Sequence, residues 1–368
     1  MLPDTERILL GPGPSLIAPR VMRALAAPML SHLDPQFVEI MDDVRARLMR
    51  VFQAPEGSFA FGVSGTGTSA MEAAIANTVA PGTRVVSVVT GYFGDRLAQM
   101  AVRYGAEVTR VEAEWGRAVD PQAVKQALTS TGATIVTIVH AETSTGVLNA
   151  VQAVAALARE HDALIIVDAV TSLGGMPLDV AGWGLDVVYS CSQKCLGAPS
   201  GLSPIVFTPR ALQRKVPCRS FYLDVSLLED YWVRRKYHHT MSASLVYALR
   251  EALVGVEEEG LRERWARHER THLAFVATLD RLGLTLLPPP AERLWTLNAV
   301  SVPNGVDDAA VRKYLLQHFN IEIGAGLGPL AGKVFRVGLM GTSSSQELVD
   351  LLGGALEKAL NSVVQGLH

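Results

Sequence analysis

Three stretches of the sequence place reactive or anion-binding groups where a buried site could use them. Asp168 ends the apolar run Ala163-Leu-Ile-Ile-Val167 and is followed by Ala169-Val-Thr-Ser172. A carboxylate at the end of a buried strand is costly unless something meets it: a helix start, a loop cation or a ligand. Further on, Gly184-Leu-Asp-Val-Val-Tyr-Ser190 reads as another strand, running into Cys191-Ser-Gln-Lys194. Lys194 lies just past the strand end among small residues, with Gly197 and Gly201 close behind. A lysine taken out of water has a lowered pKa and can act as a nucleophile that forms a Schiff base. The third stretch, Val63-Ser-Gly-Thr-Gly-Thr-Ser69, leads into helix-forming sequence. Small residues, hydroxyls and free amides at a helix start bind phosphate. Gly65, Gly67 and Ala70 also fit the spacing of a dinucleotide fingerprint. That motif needs an acidic residue at the end of the next strand, and the stretch 85–90 carries none.

Between about 59 and 207, short β-branched runs alternate with helix-length stretches. The runs at 85–90, 107–111, 134–139, 164–167, 187–190 and 203–207 predict strands. Apolar residues at threes and fours predict helices over 69–78, 95–104, 121–128 and 150–161. This alternation gives an α/β fold with a mostly parallel central sheet covered by helices, whose functional residues sit at the carboxyl ends of strands. From 227 to 260 and on to 282 the spacing is helical, and a helix over 262–282 bridges to a second unit. Beyond Gly283, strands at 285–287, 299–302, 321–323 and 333–337 and helices at 307–318 and 345–363 predict a small C-terminal α+β domain. The expected division is an N-terminal arm (1–18), a large domain (19–262) and a small domain (263–368).

At 368 residues the chain is long enough for about two domains. Its 49% apolar and 19% charged residues describe a folded chain with a large core, not a disordered one. With 33 basic and 36 acidic residues, the net charge of −3 offers no support for a nucleic-acid surface. No apolar run approaches the ~20 residues of a membrane span. Residues 1–10 lack the basic-then-apolar order of a secretory signal, and residues 365–368 match no retention or peroxisomal address. Cys191, Cys195 and Cys218 are too few for a disulfide framework, so a reducing cytoplasm is expected.

Further motifs join the first three. They are Leu10-Gly-Pro-Gly-Pro14, His140-Ala-Glu-Thr-Ser-Thr-Gly146, Val167-Asp-Ala-Val-Thr-Ser-Leu-Gly-Gly175, Ser190-Cys-Ser-Gln-Lys194, Tyr237-His-His-Thr240 and Gly328-Pro-Leu-Ala-Gly-Lys-Val-Phe-Arg336. In order and spacing, over about 9–351, the sequence resembles the fold-type I pyridoxal-phosphate (PLP) enzymes. Within them it resembles the class V aminotransferases of the alanine–glyoxylate and serine–pyruvate group.

The resemblance implies pyridoxal 5′-phosphate as cofactor, held covalently by Lys194, which also serves as the base. It implies that Asp168 pairs with the pyridine nitrogen and that Phe93 stacks on the ring where relatives carry Trp, with Tyr92 as the alternative. Thr66, Gly67 and Gln193 would reach the phosphate. Thr68 stands next to them, where animal relatives often have His. Thr143 would touch the ring. Arg336 would clamp the substrate α-carboxylate, the alternative being a structural salt bridge. Gly13, in Gly11-Pro-Gly-Pro14, would line the substrate side. Tyr237 and Thr240 would cross to the neighbouring subunit, making a homodimer with shared active sites. The implied activity moves the amino group of alanine or serine to glyoxylate or pyruvate in two half-reactions.

Leu228-Glu-Asp-Tyr-Trp232 and Lys194-Cys-Leu196 look like the ureidoglycine–glyoxylate aminotransferases. That subgroup places amide side chains at the positions matching His32 and Tyr237. Desulfurases of the same class need a late nucleophilic cysteine, and none follows Cys218. Cys191 and Cys195 are expected to be buried fillers. His238 and His239 are expected to point apart and to hold no metal.

Overall fold

In the computed structural model, which describes residues 5–364, seven strands form the central sheet. They are β1 (Phe59–Ser64), β2 (Arg84–Val89), β3 (Glu107–Glu112), β4 (Ile135–Val139), β5 (Leu164–Asp168), β6 (Val187–Tyr189) and β7 (Leu202–Phe207). Their order is β1-β7-β6-β5-β4-β2-β3. Only β7 runs against the others. No helix lies between β6 and β7 to carry the chain back across the sheet, so β7 returns antiparallel. β4 and β5 are buried along their whole length. Helices on both faces require such unbroken apolar runs instead of alternation.

Small local signals start the covering helices. Asp120 accepts the Gln122 amide and precedes Pro121 at the start of Pro121–Thr131. Asp34 and Pro35 do the same for Pro35–Val51. Both pair a side-chain acceptor with a first position that has no N–H to satisfy. Residues 1–4 and 365–368, which include Asp4 and the C-terminal tetrapeptide, lie outside the described residues. Among the described residues no helix is long and apolar enough to cross a membrane.

A second apolar cluster gathers Phe275, Leu279, Val311, Leu315, Phe335, Val337 and Leu352, together with Leu10 from the arm. It lies on a three-stranded antiparallel sheet of β8 (Leu297–Ser301), β9 (Gly324–Ala325) and β10 (Val334–Gly338), with β10 in the middle. Helices Leu261–Arg281, Asp308–Phe319 and Gln346–Val364 pack alongside. The arm is tied to this cluster by a parallel pairing of Ile8–Leu9 with Ile321–Glu322.

Several local expectations change. The stretch 285–287 makes one isolated bridge, Leu286 to Val300, because three prolines without N–H groups follow it. The stretch 321–323 pairs with the arm and not with the small sheet. The helical reading of 227–260 breaks into Val225–Trp232 and Ala243–Glu259. The connecting loop carries Arg235 at φ +63° and the Tyr237–Thr240 motif. The helix expected over 95–104 runs Tyr92–Arg103, which places Phe93 in its first turn.

Helix Leu261–Arg281 bolts the second cluster to the loop that bears Lys194. Arg264 donates to the Cys195 carbonyl and to Glu259, both at 2.6 Å. Arg267 donates to the carbonyls of Gly341 (3.0 Å) and Ser344 (2.6 Å). His268 Nε2 accepts the Gly341 amide at 3.0 Å, which makes Nδ1 the donor to the Arg264 carbonyl. Burial pushes the His268 pKa down to about 3, so the ring keeps this neutral form. Arg264→Leu leaves Glu259 with Arg267 alone and the Cys195 carbonyl without its donor. The expected loss is about 3 kcal/mol in urea unfolding of the full chain. A loss below about 1 kcal/mol, the range of an exposed pair, contradicts this role for the bolt.

Candidate active site

The carboxyl ends of β1, β4, β5 and β6 converge on one cavity of about 180 Å³. Thr66, Gly67, Thr68, Phe93, Thr143, Asp168, Gln193 and Lys194, eight of the residues singled out above, line it together. Asp168 is the last residue of β5 and almost fully buried. Its Oδ1 accepts the Val170 amide at 2.8 Å and its Oδ2 accepts the Tyr189 hydroxyl at 2.9 Å. Burial raises its pKa to about 6, against the pull of these two donors.

Lys194 follows β6 by a short loop and is buried, which lowers its pKa. Its Nζ donates to the Pro12 carbonyl of the arm, and its own carbonyl accepts Ser15 Oγ at 2.8 Å. Gly13 has φ +115°, and a Cβ there would lie 2.5 Å from Lys194 Cε. Only glycine fits that approach. The flanking thiols are raised by burial to about 12 (Cys191) and about 11 (Cys195), so both are inert neighbours.

Thr66 caps the helix Gly67–Thr78 by position, but its side chain makes no capping hydrogen bond. The first turn therefore keeps unused donors for an anion. Gln193 Oε1 is buried without a partner among the described residues.

Phe93 owes its place to a residue that sequence reasoning missed. Glu142 is fully buried and accepts the amides of Phe93 (3.3 Å), Gly94 (3.1 Å) and Ser144 (3.2 Å) and the Ser144 hydroxyl (2.6 Å). Ser144 in turn accepts the Tyr92 amide at 2.9 Å. This carboxylate caps the helix Tyr92–Arg103 from outside. Any Cβ at Gly91 would run into Ser144 and Glu142. Burial raises the Glu142 pKa, while its amide and hydroxyl donors hold it down. The signal available in the sequence was Glu142's place inside the 140–146 motif.

Arg336, in the middle of β10, is 8% exposed. Its Nε donates to the Ala325 carbonyl at 2.6 Å, and Nη1 lies 3.5 Å from the Thr143 carbonyl. No carboxylate reaches it within ion-pair distance among the described residues, so the structural salt bridge considered above is absent there. Burial pushes its pKa down to about 10, with Glu142 pulling the other way.

Tyr237 and Thr240 do not line this cavity; both are exposed, Tyr237 by 63%. The two histidines between them face each other instead of pointing apart. His238 Nδ1 and His239 Nδ1 are 2.8 Å apart. Phe221 stacks on His238 at 5.3 Å and Ser64 Oγ meets His239 Nε2 at 2.8 Å, which turns the rings inward.

A buried lysine, a buried carboxylate and an uncapped helix start now meet in one cavity, with an unpaired arginine beside it. Residues 13–351 match the family model for aminotransferase class-V. The chain belongs to the class V aminotransferases. It is 38% identical to an alanine–glyoxylate aminotransferase of Drosophila melanogaster, over 98% of this chain and 94% of that protein. Among solved structures, an alanine–glyoxylate aminotransferase from Nostoc sp. superposes with a TM-score of 0.94 at 45% identity, covering 98% of this chain and 97% of that one. A ureidoglycine–glyoxylate aminotransferase from Bacillus subtilis superposes with a TM-score of 0.96 at 37% identity, covering 100% and 96%.

The chain is thus a PLP-dependent transaminase of the fold-type I architecture. Its cavity suits that cofactor: the first helical turn keeps free donors for the phosphate, and Asp168 awaits a cation.

Asp168 makes a pH prediction for the cofactor-free protein. Its folded pKa of about 6 lies above the ordinary 3.8, so the folded chain holds a proton that the unfolded chain has released. Stability is lost as pH rises from about 4 through about 6. Asp168→Asn keeps the shape without the charge. At pH 8 the cofactor-free variant should be more stable than wild type by up to about 3 kcal/mol, with the difference closing near pH 4. A difference that stays constant across that range in chemical denaturation contradicts the buried-anion reading.

Proposed function

We propose that the protein moves the amino group of alanine or serine to glyoxylate or pyruvate, working as a homodimer with shared sites. The observation that carries this is Arg336. A buried guanidinium without a carboxylate partner suits the bidentate grip of an α-carboxylate, which amino acid and oxo-acid share.

In this reading Thr66, Gly67, Thr68 and Gln193 hold the cofactor phosphate, Phe93 and Thr143 hold the ring, and Lys194 is the attachment point. Bound there, PLP supplies an electron sink for the pair left at the substrate Cα and keeps the amino group between half-reactions. Asp168 holds a proton at the ring nitrogen. Lys194 Nζ, whose pKa burial lowers, takes the substrate Cα proton. Arg336 fixes the carboxylate and so orients the Cα–H bond toward that base. Gly13 and Pro12 bring the arm against Lys194 and keep water from it.

Tyr237 and Thr240 are exposed and outside their own cavity, and the histidines between them lie against the exposed Phe221 and Tyr222. A second copy that receives them accounts for both facts. Alanine as donor draws on the relatives' names, serine on the sequence resemblance alone, and both on two neighbouring side chains. His32 and Tyr237 lie 5.4 Å apart, and these are the two positions where the ureidoglycine subgroup has amides.

Three measurements test this reading. Loaded protein given L-alanine or L-serine without an oxo-acid should release pyruvate or hydroxypyruvate up to about one equivalent per subunit. Added glyoxylate should then restore turnover. Release from neither, with ureidoglycine consumed instead, moves the protein to the sibling activity. Arg336→Ala should lower kcat/KM for the donor about 100-fold, mainly through KM, and an unchanged ratio sinks the clamp. Mixed dimers of Lys194→Ala and Tyr237→Ala chains should recover activity that neither parent has, because one of their two sites is intact. No recovery in verified mixed dimers rules out the shared site.

A further inference from the structure

Thr68 stands in the first turn of the helix Gly67–Thr78, and its Oγ1 accepts a hydrogen bond from Arg96 Nη1 at 3.1 Å. Arg96 belongs to the neighbouring helix Tyr92–Arg103, whose first turn carries Phe93. Its guanidinium lies 5.1 Å from the ring centroids of both Tyr92 and Phe93. It forms no ion pair among the described residues; the adjacent Asp95 is taken by Arg110. Lys194 is the only cationic side chain among the cavity's lining residues, and its amine is already committed to the chemistry. A phosphate dianion at the Gly67–Thr78 helix start would therefore lack a permanent positive charge in direct contact.

Hydroxyl chemistry sets the direction of the Arg96–Thr68 bond. Guanidinium N–H groups only donate, so Thr68 Oγ1 must accept and its own hydrogen stays free. Deeper in the helices of this chain, threonines lose that hydrogen to the carbonyl four residues back, as Thr78, Thr129 and Thr271 do. Thr68 makes no such bond. Among the described residues its side chain's only hydrogen bond is the one it accepts, and that side chain lines the cavity.

We infer that Arg96 is a positioning residue for the cofactor phosphate. It holds Thr68 with the O–H directed into the cup, and its charge strengthens the bond that this hydroxyl gives to a phosphate oxygen. The same guanidinium lies against Phe93, so one side chain sets the hydroxyl for the phosphate and the ring that meets the cofactor plane. The inference rests on the phosphate cup proposed above.

The test compares PLP with pyridoxal, which lacks the phosphate, by equilibrium dialysis against the cofactor-free full-length protein. Arg96→Gln should weaken PLP about tenfold, the scale of one charge-assisted hydrogen bond, and leave pyridoxal within about twofold. In a Thr68→Ala background the same substitution should cost no more than about twofold, since the two residues act in series. Arg96→Lys should restore part of the PLP preference. Equal losses for PLP and pyridoxal would mean that Arg96 acts through the Phe93 ring or the fold, and would overturn the relay. Full additivity with Thr68→Ala would also overturn it. If Thr68→Ala itself fails to separate PLP from pyridoxal, the cup reading fails and takes this inference with it. If Thr68→Ala separates them and Arg96→Gln does not, only the inference falls.

Discussion

Asp168, Lys194 and Arg336 are held out of water with no ion-pair partner among the described residues. Three uncompensated ionisable groups in one small region are expensive to bury. Each therefore shifts toward its uncharged form: Asp168 up, Lys194 and Arg336 down. The rest of the structure keeps these groups from being solvated or paired. The Val170 amide just past β5 and the Tyr189 hydroxyl occupy both oxygens of Asp168. The arm presses on Lys194, and β10 carries Arg336 between apolar neighbours. That arrangement is unstable alone and complementary to ligands that bring a ring cation and a carboxylate.

The site depends on two apolar clusters keeping a fixed relation. Lys194 and Asp168 belong to the large sheet, Arg336 to the small one. Polar contacts cross between them at several points: Arg264 to the Cys195 carbonyl, Ser15 to the Lys194 carbonyl and Thr296 to the Thr171 carbonyl at 2.8 Å. Each joins backbone of a site residue, or within three residues of one, to the arm, the bridging helix or the small unit. The geometry is therefore supported where a small displacement would matter most for orienting a substrate.

Much of this was legible in the sequence, for a local reason. Asp168 ends a strand and Thr66 to Thr68 and Lys194 follow one within a short loop, and strand-end residues in a parallel sheet share one edge. Arg336 was legible as a charge inside an apolar strand. What escaped depends on contacts between distant segments. Glu142 and Ser144 satisfy the amides of Tyr92, Phe93 and Gly94, and so start that helix three residues before its apolar periodicity does. Arg96 reads as an ordinary helix-surface arginine until Thr68 is placed beside it. The stretch 285–287 has the β-branched and aliphatic look of a strand, but proline follows and only one bridge forms. The segment at 321 does form a strand, with a partner from the far end of the chain that no local pattern reveals.

That last pairing has a consequence for biosynthesis. Ile8 and Leu9 leave the ribosome about 300 residues before the strand they join, Ile321–Glu322. The large sheet, with Asp168 and Lys194 at its edge, can be complete while the arm still has nothing to pair with. Before that strand emerges, the arm's ties to the Lys194 loop are those of Ser15, to the carbonyls of Gln193 and Lys194. The pairing with Ile321–Glu322 is therefore a second, later anchor for an arm that Ser15 already joins to the Lys194 loop.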